Sequence, residues 1–127
     1  EWKKINETKK IMHEPDLAIS ATCVRVPVYV GHCEAVHVEF SHPITPEDVQ
    51  TILRDTPGVT IQDEPSVNLY PTPRGVVGKD DTFVGRIRQD ASHPMGIALW
   101  IASDNLRKGA ALNAIQIAEE LVARRLI

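Results

Sequence analysis

The apolar positions of this chain change period several times, and each change marks an element. Trp2, Ile5 and Met12 stand at helical spacing among Lys, Glu and Asn ahead of Pro15. That pattern predicts a helix over about residues 1–13, continuing upstream. Between 19 and 30 the apolar residues crowd together, with Val24, Val26, Val28, Tyr29 and Val30 close in line. β-Branched and aromatic density of this kind predicts a strand. A second strand is expected over 35–40, where Val36, Val38 and Phe40 alternate with His37 and Glu39 to give one apolar and one polar face.

Thr45-Pro46-Glu47-Asp48 has the chemistry of a helix start: a hydroxyl cap, proline at the first helical position and carboxylates in the first turn. Val49, Ile52 and Leu53 supply its apolar face, and Gly58 reads as its end. A short strand is expected over 59–62. Residues 63–81 are rich in Pro, Gly, Asn and Asp, and a connection of that length reads as an arm or docking loop. Strands over 82–90 and 97–103 flank the turn Ser92-His93-Pro94-Met95-Gly96, and Leu112, Ile115, Leu121, Val122 and Leu126 mark a long final helix. Helix, two strands, helix, three strands, helix predicts an α+β domain, a mainly antiparallel mixed sheet with helices packed on one face. On the strand 82–90, Val84, Arg86 and Arg88 alternate and are expected to project the same way.

Composition narrows the function. The chain has 127 residues, enough for one domain with a core. Fourteen basic against seventeen acidic residues give a net charge of -3, with no basic tract dense enough to hold a nucleic-acid backbone. No apolar run approaches the roughly 20 residues that cross a bilayer, and no charged-then-apolar leader is seen; a cytoplasmic protein is expected. The chain opens at Glu1 inside an amphipathic pattern and reads as a piece of a longer polypeptide. Cys23 and Cys33 are expected to be reduced, acting as small buried hydrophobes.

Arg25 interrupts the apolar run, and His32 closes it after Gly31. A guanidinium buried in a strand needs an anion, because a poorly paired buried ion costs several kcal/mol. The residues alone leave two readings for Arg25, a salt bridge that orients neighbouring elements and a two-pronged grip on a carboxylate ligand. His32 is either an ordinary strand-end histidine or a proton carrier near neutral pH. A zinc site built from Cys23, His32, Cys33 and His37 is disfavoured. Its spacing offers no paired motif, and a strand starting near His32 sends His32 and His37 to opposite faces.

Several segments, in order, carry a resemblance: Glu1-Trp2-Lys3, the 23–35 run, Tyr70-Pro71-Thr72-Pro73, Gly78-Lys79-Asp80, Phe83-Val84-Gly85-Arg86-Ile87-Arg88, and Asp104-Asn105-Leu106-Arg107-Lys108-Gly109-Ala110-Ala111. Together they resemble the C-terminal part of the aspartate-semialdehyde dehydrogenases, over nearly the whole chain. The family begins with a nucleotide-binding domain that carries a Gly-rich loop and a catalytic cysteine, and these 127 residues contain neither motif.

The resemblance implies the substrate-binding and dimerisation part of an NADP-dependent enzyme that reductively dephosphorylates aspartyl phosphate to aspartate semialdehyde, on the route to lysine, threonine and methionine. It implies that Arg25 grips the substrate carboxylate, that His32 is the acid/base, that Lys3 helps hold phosphate, and that Asn105 contacts the nicotinamide end of NADP. Gly109, Ala110 and Ala111 would permit close packing, and the final helix, about 107–127, would pack on the nucleotide-binding domain. Partners expected on this basis are aspartyl phosphate, aspartate semialdehyde, phosphate and further copies in a homodimer or homotetramer, with neither nucleic acid nor membrane. No metal ligand is assigned. The 127 residues alone are expected to be inactive for want of the cysteine. Arg86 and Arg88 read as interface-lining residues. A non-catalytic oligomerisation module of the same fold is the alternative, against which the presence of Arg25 and His32 weighs, and a reductase for a different acyl phosphate is the other enzymatic reading.

Overall fold

A computed structural model describes all 127 residues, Glu1–Ile127. Helix α1 runs over Trp2–Met12 and ends where His13 turns left-handed. Strand β1 covers His32–Glu39, helix α2 Pro46–Arg54, strand β2 Val59–Ile61, strand β3 Thr82–Gln89, strand β4 Gly96–Ser103 and helix α3 Leu112–Ala123. The strands form one sheet in the order β1-β4-β3-β2. β4 pairs antiparallel with both β1 and β3, and β2 joins the far edge parallel to β3. The fold is therefore α+β on a mainly antiparallel mixed sheet.

Helix α2 forms where its cap predicts. The Thr45 side chain accepts from the Asp48 N–H, and the Asp48 carboxylate accepts from the Thr45 N–H, a reciprocal capping box that satisfies donors the first turn leaves free. Its apolar stripe lays Val49 and Leu53 over one sheet face, against Val84, Ile87 and Ile97. The helix stops at Arg54, earlier than Gly58 suggests; Gly58 instead takes φ 74 in the turn that leads into β2.

The other sheet face is covered by the 63–81 segment, which folds back on the sheet. Pro71 and Val76 are fully buried, Val76 packs with Phe83 and Ala102, and the Trp100 indole N–H donates to the Pro71 carbonyl at 3.0 Å. Gly85 is needed beneath it, because a Cβ there would meet Pro71 Cδ at 2.6 Å.

Three expectations fail for identifiable reasons. Residues 19–30 form no strand. β1 is the sheet edge with β4 on its one paired side, Pro27 lacks an N–H to give a ladder, and the chain instead tightens so that Val28 N–H donates to the Val26 carbonyl. Apolar density marks a strand only where a partner ladder exists to take the backbone groups. On β3, Val84 and Arg86 do not share a surroundings: one extra residue enters between Gly85 and Arg88, Arg86 takes φ 52, and the parity flips. Val84 and Ile87 are buried while Arg86 and Arg88 are exposed. The Ile87 N–H, displaced from the ladder, donates to Asp63 Oδ2 at 2.9 Å. The last helix begins at Leu112 rather than near 107, because Lys108, Gly109 and Ala110 leave helical dihedrals in a kinked connection.

Of the 127 residues twelve are buried, none of them in α1 or α3. That is far below what a self-sufficient chain of this length encloses. Trp2, Ile11 and Met12 on α1, Val24 and Tyr29 after it, and Ile115, Ile117 and Val122 on α3 all face outward. No helix is long and apolar enough to cross a membrane.

Candidate functional site

Lys3 stands on the first turn of α1, where its ammonium lies 3.7 Å from the Glu7 carboxylate on an exposed helix face. An ion pair of this kind contributes little, so the lysine is free to meet an anion. The start of α1 is tied to the segment carrying Arg25 by one long-range bond, the Cys23 N–H donating to Glu1 Oε1 at 3.1 Å. Arg25 itself is exposed, which corrects the expectation of a buried guanidinium: with no strand at 19–30 there is nothing to desolvate it. None of the ion pairs in the chain includes it. Cys23 is likewise exposed, not a buried hydrophobe, whereas Cys33 is half-buried against the Val76 cluster and burial pushes its thiol up. Both thiols are free.

His32 opens β1, opposite Ser103 of β4. Its root is fixed from two sides. Gly31 takes φ 106 with its Cα against the Pro73 carbonyl, where a Cβ would come within 2.5 Å of the oxygen. The Gly31 N–H donates to Asn105 Oδ1 at 2.9 Å, across 74 positions of sequence. The edge strand that presents the imidazole is thereby pinned to the loop that carries Asn105. The amide oxygen is engaged, so the Asn105 amide nitrogen keeps both hydrogens for another acceptor.

That loop is held in turn by Asp104, 4% exposed. Its carboxylate accepts from the Gly78 N–H at 2.7 Å and the Leu106 N–H at 2.8 Å, and these backbone donors hold the carboxyl below the usual range. Arg107 Nε adds a bond to Asp80 at 2.6 Å. Lys3, Arg25, His32 and Asn105 thus fall into two tethered pairs of segments. All four side chains are exposed, and none bonds directly to another.

Sequence reasoning missed two residues. Asp104 was visible only as a neighbour of Asn105, and its signal was a carboxylate directly after an apolar strand. Glu34 was passed over; Nε2 of His32 lies 2.9 Å from its Oε1. Residues two apart on a strand share a face, and that spacing was the available clue. Among the other histidines, Nδ1 of His37 lies 2.6 Å from Asp90, and His42 bonds Ser41.

The same fold occurs in solved structures of known proteins. The chain belongs to the semialdehyde dehydrogenase family, whose dimerisation-domain model matches residues 1–108. It is 55% identical over 128 aligned positions to the aspartate-semialdehyde dehydrogenase of Bacillus subtilis (strain 168), covering 100% of this chain and 37% of that protein. A crystal structure of aspartate semialdehyde dehydrogenase II from Vibrio cholerae, complexed with ASA, superimposes with a TM-score of 0.78 at 49% identity, covering 97% of this chain and 36% of that one. The aspartate semialdehyde dehydrogenase from Candida albicans, solved with NADP, gives 0.63 at 30% identity over 81% of this chain and 33% of that one. The chain spans little more than a third of the length of the proteins it matches.

Proposed function

We propose that this chain is the substrate-binding and dimerisation part of an NADP-dependent aspartate-semialdehyde dehydrogenase. The observation that carries the reading is its 49% identity, over 97% of its length, to a chain solved with ASA, which we read as aspartate semialdehyde. In this reading a cysteine thiolate elsewhere in the full-length protein displaces phosphate from aspartyl phosphate. When bound, NADPH would supply the hydride for reduction of the resulting thioester to the aldehyde, with the thiolate as the leaving group. Lys3 holds the phosphate, Arg25 clamps the substrate carboxylate with its two-pronged fork, and His32 moves the proton that accompanies tetrahedral collapse.

Fit to the cofactor is limited to one contact. The free amide hydrogens of Asn105 suit a carboxamide oxygen such as that of nicotinamide, and no Gly-rich phosphate loop occurs in these residues. Helix α3, with Ile115, Ile117 and Val122 outward, would pack on the nucleotide-binding part, and the 127 residues alone would be inactive. Homodimer or homotetramer contacts would involve the sheet carrying Arg86 and Arg88. The proposed setting is cytoplasmic, in an enzyme of lysine, threonine and methionine synthesis.

His32→Asn in the full-length protein tests the reading. The substitution should lower kcat by about 10²- to 10⁴-fold, the usual worth of positioned proton transfer, while KM for aspartate semialdehyde stays within about twofold. Unchanged kcat would remove His32 from the mechanism.

A further inference from the structure

We propose that Glu34 is a positioning residue for His32, holding its imidazole so that proton exchange takes place at Nδ1. The proposal rests on the acid/base reading of His32 above. Three observations carry it. The backbone of His32 is already fixed, with Gly31 jammed against Pro73 and bonded to Asn105, so rotation about the side-chain torsions is the freedom left to the ring. His32 and Glu34 stand two apart on β1, opposite Ser103 and Ile101 of β4, and so share one face. The bond from His32 to Glu34 is 2.9 Å long and engages Nε2.

An ionised carboxylate only accepts hydrogen bonds. Nε2 must therefore carry hydrogen in this arrangement, whether the ring is neutral or protonated. In the neutral ring that assignment leaves the lone pair on Nδ1, the one nitrogen able to take a proton; in the imidazolium, Nδ1–H is the proton to be returned. The carboxylate also faces the positive charge that appears on the ring during transfer, the same logic by which an acidic partner orients a catalytic histidine elsewhere. Side-chain exposures of 58% for His32 and 48% for Glu34 place the pair in screened surroundings, so its worth is modest.

The test uses the full-length protein and four variants: Glu34→Ala, Glu34→Gln, His32→Asn and the Glu34→Ala/His32→Asn double variant. Glu34→Ala should lower kcat about three- to tenfold, toward the lower end for a charged hydrogen bond, with KM for aspartate semialdehyde unchanged. Glu34→Gln retains an acceptor oxygen and should recover part of the loss. In the His32→Asn background, Glu34→Ala should change kcat by less than about twofold, since a residue that acts through His32 has nothing left to position. A merely structural residue would keep its full effect there. If Glu34→Ala leaves kcat unchanged while His32→Asn is impaired, the positioning proposal is wrong and the acid/base reading stands. If the two losses multiply in the double variant, Glu34 acts by another route. If His32→Asn itself is unimpaired, the acid/base reading fails first.

Discussion

Replacing Gly31 by alanine probes the junction on which the candidate site hangs. Two separate costs arise from the geometry. At φ 106 an L-residue meets left-handed strain of about 1–2 kcal/mol. The new Cβ would also lie 2.5 Å from the Pro73 carbonyl oxygen, 2.9 Å from its carbon and 3.0 Å from its Cα. All three are backbone atoms, which cannot swing aside as the end of a side chain would, and overpacking of this sort costs about a further 1–3 kcal/mol. Gly58→Ala is the matched control, since its φ is 74 but no atom lies within 4 Å of the added Cβ; only the strain applies. Gly31→Ala should therefore destabilise by about 2–5 kcal/mol and Gly58→Ala by about 1–2 kcal/mol. Thermal melting of the full-length variants, followed by scanning calorimetry, should show the difference as a gap of several degrees. Amide exchange at residue 31 should also accelerate in Gly31→Ala as the Asn105 bond stretches. Equal melting temperatures for the two variants would show that Pro73 yields freely, and that the arm does not clamp the root of β1.

Much of this architecture was legible in the sequence because its signals are local. Thr45 and Asp48 state the start of α2 in their own side chains, and the turn Ser92–Gly96 lies where Pro94 and Gly96 put it. The run at 19–30 was misread because its apolar residues answer to surfaces outside the sheet: Val24 and Tyr29 point outward, and composition cannot distinguish a strand from an extended segment awaiting cover. The bulge on β3 was invisible for a different reason. Arg86 adopts a left-handed φ that no glycine announces, and its compensation comes from Asp63, just past the end of β2. The candidate site was legible as residue types and not as tethers. Nothing adjacent to Asn105 or Gly31 indicates that they bond across 74 positions, and the buried role of Asp104 depends on a loop 26 residues away.

Two further outcomes are expected. Asp90 accepts from His37 at 2.6 Å, from the Ser92 hydroxyl at 2.7 Å and from the Ser92 N–H at 2.8 Å, and these bonds, that of His37 foremost, hold its carboxyl well below the usual range. A depressed carboxyl adds stability that is complete above its unfolded value of about 3.9 and is lost as pH falls toward the folded value; Asp90→Asn should thus flatten the fall in melting temperature below about pH 4, and an unaltered acid limb would refute the assignment. The second outcome is for Arg25→Lys in the full-length protein. The exposure of Arg25, and its absence from every ion pair in the chain, remove the structural partner that would make it a stabilising residue here. Its melting temperature should accordingly stay within about a degree, the behaviour of an unremarkable surface substitution. If the fork clamps the substrate carboxylate, an ammonium recovers only part of the contact, and losing one charged hydrogen bond of about 1.5–3 kcal/mol lowers kcat/KM roughly ten- to a hundredfold. Normal kinetics with a sharply lower melting temperature would instead mean that Arg25 pairs with a carboxylate elsewhere in the full-length protein, and the substrate assignment would fall.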